Sequence, residues 1–214
     1  MHNLLSYKGD VYFNLYTLKK FIWASKKTFG LSKGNSRGMS RAISYNKLHM
    51  FKKAISACKE AIYMNPHNAE AYYILGNTYS NLSMYTKAVE AYKQAIGNKS
   101  KYTEALYRLS IAYSRLGRIK EAIDVTRRVI MIKPNMAAAH KNLGIFYGSQ
   151  GSFNEAIYSL NRVLKLEHDN VEVRSMLIQY YLKLNDKESA KREYKVLQNL
   201  SPHMANILSH EIPK

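Results

Sequence analysis

Apolar side chains recur through the middle of the chain at the spacing of helices that each bury one face. In the segment AEAYYILGNTYSNL, a core-facing stripe follows the i, i+3, i+4, i+7 spacing, at Tyr72, Leu75, Gly76 and Tyr79. The next segment, YTKAVEAYKQAI, carries a second stripe, at Tyr85, Ala88, Val89, Tyr92, Ala95 and Ile96. The pattern predicts two consecutive helices that pack against each other through these stripes.

The same residue types return every 34 residues. Alanine does so at Ala54, Ala88, Ala122, Ala156 and Ala190, and tyrosine at Tyr45, Tyr79, Tyr113, Tyr147 and Tyr181. Proline follows the same step at Pro66, Pro134 and Pro202, with Ser100 and His168 in the two remaining slots. Three residue classes on one period predict five stacked helical hairpins, at residues 35–68, 69–102, 103–136, 137–170 and 171–204.

Small residues stand where the two helices of a hairpin must approach closely. They are Gly76, Ser110 and Gly144 in the first helices and Ala88, Ala122 and Ala156 in the second helices. We expect large residues to fill the hollows that they leave, with Phe51, Tyr85 and Phe153 as the candidates. Gly117 and Gly151 mark turns in which a helix ends with a positive φ angle.

These motifs resemble the tetratricopeptide-repeat family. The resemblance covers residues 35–204 and is carried by "YYILGNTY…KAVEAYKQAI", "LYRLSIAY…EAIDVTRRVI…KP" and "HKNLGIFY…EAIYSLNRVL". It implies an all-α, right-handed superhelix that binds other proteins and is not an enzyme. It also implies that the first helices line a concave groove, which holds extended peptides or a helix.

The resemblance places a set of first-helix residues in that groove. They are Tyr73, Asn77, Asn81, Tyr107, Arg108, Ile111, Arg115, Lys141, Asn142, Ile145, Gln179 and Lys183. Asn amides can clamp a peptide backbone, Tyr rings give rigid contact area, and Arg and Lys favour acidic ligands. We therefore expect an acidic protein or peptide partner. Ordinary amphipathic helix surface is the alternative interpretation of the same residues.

The formal net charge is +18 for 214 residues, which attracts acidic proteins, anionic membranes or nucleic acid. The sequence contains no helix-turn-helix, RNP or zinc-finger signature, so nucleic acid is not the expected partner. It contains no phosphate loop, metal-ligand spacing or nucleophile motif, so neither enzymatic activity nor a cofactor or metal is expected. The single cysteine, Cys58, fits a reducing, cytoplasmic location and a buried apolar role.

Residues 1–34 precede the repeats and are strongly basic, with eight Lys and Arg and one acidic residue up to Arg41. Asp10 can cap a helix that begins at Val11, and Gly30, Gly34 and Gly38 then suggest a flexible join to the repeats. The expected contact residues of this amphipathic helix are Val11, Leu15, Tyr16, Leu18, Lys19, Lys20, Ile22 and Trp23.

Three uses suit this predicted helix. It could cap the first repeat, dock in the groove of a neighbouring copy to build a homo-oligomer, or lie on an anionic membrane as part of a peripheral adaptor. Residues 205–214 form a short tail, which would leave the end of the last repeat open to another copy.

The order of the predicted elements, an N-terminal helix followed by five repeats, also bears on which of these three uses applies. An N-terminal helix containing "DVYFNLYTLKKFIWASKK", followed by five repeats, is similar to the layout of magnetosome-associated members of the family. That resemblance implies a cytoplasmic scaffold that self-assembles around a membrane-bounded organelle and recruits other proteins.

Overall fold

A computed structural model of the protein describes residues 32–212, and every regular element in that range is an α-helix. In chain order the helices are α1 (Ser32–Lys47), α2 (Phe51–Met64), α3 (Ala69–Asn81), α4 (Tyr85–Asn98), α5 (Thr103–Arg115), α6 (Ile119–Ile132), α7 (Ala137–Ser149), α8 (Phe153–Leu166), α9 (Val171–Lys183), α10 (Lys187–Leu200) and α11 (Pro202–Leu208).

The helices α1 to α10 form five hairpins, each made of a first and a second helix that pack on each other. Each second helix also packs on the first helix of the next hairpin, so the core continues along the stack. One hairpin cannot bury both of its faces alone, and stability accumulates through these neighbour contacts. The predicted fold class, an all-α solenoid of five hairpins, is confirmed.

The alanine positions of the repeat lie at the helix crossings. Ala54, Ala88, Ala122, Ala156 and Ala190 are all completely buried. Gly76 and Gly144 of the first helices are also buried, because a large side chain of the second helix covers each of them.

The residues that fill the glycine hollows differ from the expected ones. A Cβ atom at Gly76 would lie 2.5 Å from Tyr92, and one at Gly144 would lie 2.7 Å from Leu160. Both partners lie in the middle of the second helix, whereas Tyr85 and Phe153 lie at its start and are only half-buried. The prediction for these two aromatic residues was wrong, because the helices of a hairpin cross nearer to their centres.

The turn inside each hairpin contains one residue in the left-handed conformation. Gly117 and Gly151 have φ angles of 72° and 77°, as their sequence context predicts. The equivalent residues of the other hairpins, His49, Ser83 and Asn185, have φ angles of 55°, 56° and 59°. The turn geometry therefore repeats even where the glycine does not.

Two residues with chemically reactive side chains, Cys58 and His140, are buried in the core. Cys58 is buried, and burial raises the pKa of its thiol to about 12. His140 is buried as well, with its Nε2 atom 2.8 Å from the carbonyl oxygen of Pro134. The cysteine therefore behaves as the expected small apolar residue.

At both ends of the stack, segments that the sequence analysis placed outside the repeats as a flexible join or a tail are helical in the structure. Gly34 and Gly38, assigned to a flexible join, lie inside α1. Residues 202–208, around the start of the expected tail, form α11, which covers the end of the last hairpin. The predicted N-terminal helix, with Val11, Leu15, Tyr16, Leu18, Lys19, Lys20, Ile22 and Trp23, lies outside the described residues.

Candidate functional site

A pocket of about 520 Å³ opens on the side formed by the first helices of hairpins one to three. We call it the first-helix pocket. Helices α1, α3 and α5 contribute most of its lining, together with Tyr92 of α4 and Tyr102 from the turn before α5. Because side chains of three hairpins meet here, stacking of the repeats is what creates the pocket.

Three tyrosines form one wall of the first-helix pocket. The ring centroid of Tyr73 lies 6.2 Å from that of Tyr92 and 5.1 Å from that of Tyr102. Burial raises the pKa of both Tyr92 and Tyr102, the latter to about 12 with a smaller contribution from the negative charge of Glu70. Both hydroxyl groups are therefore neutral at physiological pH and present an apolar ring beside a hydrogen-bonding group.

Asn77 is held in the pocket by one of these tyrosines. The hydroxyl group of Tyr92 donates a hydrogen bond of 2.8 Å to Oδ1 of Asn77. This bond fixes the orientation of the amide, because only the oxygen can accept it. The NH₂ group of Asn77 is then the part that remains for a ligand.

Asn46 of α1 has an unused acceptor in the same pocket. Its Nδ2 atom donates to Oγ1 of Thr78 at 2.6 Å, and Thr78 in turn donates to the carbonyl oxygen of Ile74 at 2.8 Å. The Oδ1 atom of Asn46 is buried and has no hydrogen-bond partner among the described residues. Buried polar atoms are normally paired, so this oxygen is a site where a ligand N–H would be favourable.

Charged side chains at the edge of the pocket are mixed in sign, with an excess of positive charge. Lys47 and Arg108 are exposed and line the pocket together with the carboxylate of Glu70. An acidic ligand segment can pair with the two cations, and the nearby glutamate restricts where it can lie.

The structure brings together some of the residues that the sequence assigned to the groove. Tyr73, Asn77, Asn81 and Arg108 line the first-helix pocket. Gln179 and Lys183 line a separate pocket of about 590 Å³, near the end of the stack.

The remaining predicted groove residues lie between these two pockets. Tyr107 and Ile145 pack against the central core, Ile111 is half-buried and Arg115 is exposed at the end of α5. Lys141 forms an ion pair of 2.8 Å with Glu172, which satisfies its charge. Asn142 has a buried Nδ2 atom without a partner among the described residues, and it is therefore a second unused amide on this side of the stack.

Sequence reasoning missed Asn46, Lys47, Glu70, Tyr92 and Tyr102 of the first-helix pocket. The period itself could have indicated Lys47, which lies 34 residues before Asn81. Tyr102 and Tyr92 carry no such signal, since they come from a turn and a second helix.

Two further properties concern the part of the chain that the structure describes. No group of three or more His, Cys, Asp or Glu side chains in residues 32–212 is arranged to hold a metal ion. Within the same range, no helix combines the length and the apolar character that crossing a membrane requires.

Comparison with solved structures shows the fold directly. A crystal structure of MamA matches with a TM-score of 0.75 and 22% identity over 82% of this chain and 96% of MamA. YrrB, described as a TPR protein with an unusual peptide-binding site, matches with a TM-score of 0.72 and 19% identity over 81% of this chain and 90% of YrrB. The chain has the fold of a tetratricopeptide-repeat solenoid.

Other comparisons agree with this tetratricopeptide-repeat fold. A thermophilic TPR protein of Thermus thermophilus matches with a TM-score of 0.57 and 24% identity, over 82% of this chain and 96% of that protein. The family model described as anaphase-promoting complex, cyclosome, subunit 3 matches residues 47–129. No curated protein sequence matches the chain significantly. These comparisons agree on the fold of the chain.

Proposed function

We propose that this protein is a non-enzymatic scaffold that binds an extended, acidic peptide segment of a partner in the first-helix pocket. The observation that carries the proposal is the pair of amides in that pocket. Asn77 is oriented by Tyr92, and Asn46 has a buried carbonyl oxygen without a partner among the described residues. A peptide backbone offers one N–H and one C=O per residue, which are the groups that these amides can bind.

The acidic character of the partner follows from the unpaired cations. Lys47 and Arg108 stand at the pocket without an ion pair among the described residues, whereas Lys141 is paired with Glu172. A partner carboxylate near Arg108 gains a charge-assisted hydrogen bond. The tyrosine wall supplies contact area for an apolar side chain next to that carboxylate.

Selection from a random peptide library displayed on phage tests this proposal. We expect the recovered peptides to share acidic residues beside an apolar residue. Asn77→Ala should weaken a recovered peptide by about tenfold, as loss of one or two hydrogen bonds does, and Arg108→Glu should weaken it more. Asn199→Ala, at an exposed position of α10, is the matched control and should leave the affinity unchanged.

Two results would contradict the proposed peptide site. A recovered consensus without acidic residues would contradict the assigned charge preference. Full affinity in both Asn77→Ala and Arg108→Glu would place the binding surface elsewhere on the solenoid.

Self-assembly belongs to the same proposal and rests on the first hairpin. Leu48 and Met50 are exposed apolar side chains at the beginning of the described stack, and contact between copies would cover them. The sequence places Trp23, the only tryptophan, beside this hairpin in the chain. If the predicted N-terminal helix docks on another copy, Trp23 emission should shift to the red on dilution. Emission that is independent of protein concentration would contradict assembly through this segment.

Each of the remaining sequence hypotheses has its own test. A peripheral membrane adaptor should show a blue shift of Trp23 emission only with anionic vesicles, and salt should reverse it. A nucleic-acid-binding solenoid should bind random RNA with a steep salt dependence. The cytoplasmic and magnetosome-associated locations stay predictions, for which imaging of a tagged protein in the source cells is the test.

A further inference from the structure

A second groove lies between the second helices of hairpins three and four. It has a volume of about 1000 Å³ and is formed by α6, α7 and α8, at the junction of hairpins three and four. We call it the second-helix groove, with Ile130, Leu143, Met131, Tyr158, Arg127 and Arg162 as the residues that define it. It shares no residue with the first-helix pocket.

Large apolar side chains at the second-helix groove are exposed to solvent. Met131 of α6 is 81% exposed and Tyr158 of α8 is 73% exposed, and both line the groove. Ile130 is half-buried and Leu143 is buried beside them. Single exposed apolar residues are common on protein surfaces, but here exposed and buried apolar residues line one concavity, which apolar side chains of a partner can fill.

Two arginines give the second-helix groove a positive charge. An Nη2 atom of Arg127 donates a hydrogen bond of 2.5 Å to the hydroxyl group of Tyr147, which holds its guanidinium at the groove. Arg162 has no hydrogen-bond or ion-pair partner within residues 32–212. Glu155 is the one acidic side chain in the groove lining, so positive charge is in excess.

We propose that the second-helix groove binds an amphipathic helix of another protein, with acidic residues on both sides of its apolar stripe. A helix that lies along a groove between two helices buries side chains at the i, i+3, i+4 and i+7 positions. Met131 and Tyr158 contact the stripe, and Arg127 and Arg162 pair with the flanking carboxylates. A second copy of this chain does not supply that helix from residues 1–31, since these contain five Lys and one Asp.

The second-helix groove is independent of the peptide site. The first-helix pocket is formed by the first three hairpins, and the second-helix groove by helices of the third and fourth hairpins. Both can therefore be occupied at once, so that one molecule bridges two different partners.

The test uses a designed, fluorescein-labelled helical peptide of about 16 residues, with Leu and Phe at the stripe positions and Glu on both flanks. Its binding is measured by fluorescence anisotropy on the full-length protein. We expect saturable binding, and about a tenfold loss in the double variant Met131→Asp/Tyr158→Asp. Arg162→Glu should cause a comparable loss that high salt reproduces.

Two controls test whether the loss of peptide affinity is specific to the second-helix groove. Tyr63→Asp is the matched control, because Tyr63 occupies the same repeat position as Met131 two hairpins earlier and is 70% exposed. It should leave the affinity for the peptide unchanged. The double variant Met131→Asp/Tyr158→Asp should also leave unchanged the affinity for a phage-selected peptide of the first-helix pocket, which shares no residue with the groove, so that failure of one proposal does not imply failure of the other.

Several results would overturn the assignment. The first is absence of saturable binding at peptide concentrations up to about 1 mM. The second is equal binding of a matched peptide with Lys in place of Glu. The third is tighter binding of single-stranded poly(U) that depends on Arg162 but not on Met131, which would make the surface a nucleic-acid site. Binding of a synthetic peptide of residues 1–31 that competes with the probe would make it an interface between copies.

Discussion

The ring of Tyr92 occupies the space that Gly76 leaves by having no side chain. A Cβ atom at position 76 would lie 2.5 Å from the ring, which is closer than packed carbon atoms come. The same ring carries the hydroxyl group that orients Asn77. The packing of this hairpin and the geometry of the first-helix pocket therefore depend on the same two residues.

This relationship predicts the effect of enlarging Gly76. Gly76→Ala should destabilise the protein by about 1–3 kcal/mol, since Tyr92 is buried and cannot move freely. Urea unfolding followed by circular dichroism measures the change. Gly97→Ala is the matched control, because a Cβ atom there meets nothing within 4 Å and Gly97 lies in a helix. It should stabilise by about 0.5 kcal/mol.

A double-mutant cycle separates packing from helix propensity at the same pair. The third hairpin carries Ser110 and Thr126, both completely buried, at the positions of Gly76 and Tyr92. Gly76→Ser combined with Tyr92→Thr should be more stable than the sum of the single changes predicts, by about 1 kcal/mol. Additive effects would mean that the two side chains do not compete for one space.

The left-handed turn residue gives a second prediction. Gly117→Ala should cost about 1 kcal/mol, because alanine is strained at a φ angle of 72° although its Cβ atom has free space. Gly117→Asn should cost less than half as much, since asparagine tolerates this conformation. Ser83→Gly, at the same repeat position, should stabilise by about 0.5 kcal/mol. Equal costs for the alanine and asparagine variants in urea unfolding would argue against backbone strain as the cause.

The period of 34 residues was sufficient to predict the hairpins, because helix crossings demand small residues at fixed places. Ala122 and its equivalents are buried for that reason and are visible in the sequence. Turn geometry was harder to predict, since Ser83 and His49 adopt the left-handed conformation without the glycine that usually signals it.

The lining of the first-helix pocket was predicted less completely than the fold. The resemblance identified Tyr73, Asn77, Asn81 and Arg108, which share a repeated first-helix face. The roles of other residues depend on contacts that do not repeat along the chain. The hydrogen bond from Tyr92 requires a glycine opposite its ring, and the ion pair of Lys141 requires Glu172 in the next hairpin.

The C-terminal end of the stack shows another structural feature that the sequence analysis did not predict. In the sequence, Pro202 was interpreted only as one of the residues that mark the 34-residue period. Pro202 is also the first residue of α11, a position that suits proline because its missing N–H would have no partner there. One residue thus ends one helix and begins the next.

The buried thiol of Cys58 predicts a pH dependence. Burial disfavours the thiolate and raises the pKa of this thiol from its ordinary value of 9.0 to about 12 in the folded protein. Above pH 9 the unfolded chain loses the thiol proton while the folded protein keeps it, so stability falls as pH rises. Wild type should lose about 1 kcal/mol between pH 9 and 10 relative to Cys58→Ala, which retains the tyrosines but not the thiol. Parallel pH profiles of the two proteins in urea unfolding would show that the thiolate becomes solvated in the folded state.

The last prediction concerns α11 as a cap on the final hairpin. Leu208 is 4% exposed and packs in a cluster with Ile178 and Leu197, whereas its neighbour Ile207 is 51% exposed. Leu208→Asp places a carboxylate in that cluster and should detach α11, which exposes the apolar side of the last hairpin. In a solenoid such a loss is local, because each repeat is stabilised by its neighbours. Hydrogen exchange should therefore accelerate in residues 171–208 and remain slow in residues 103–132. Ile207→Asp is the matched control on the same helix and should leave both regions protected. Equal exchange in the two variants would mean that α11 does not stabilise the last hairpin, whose end would then be open to another copy as the sequence first suggested.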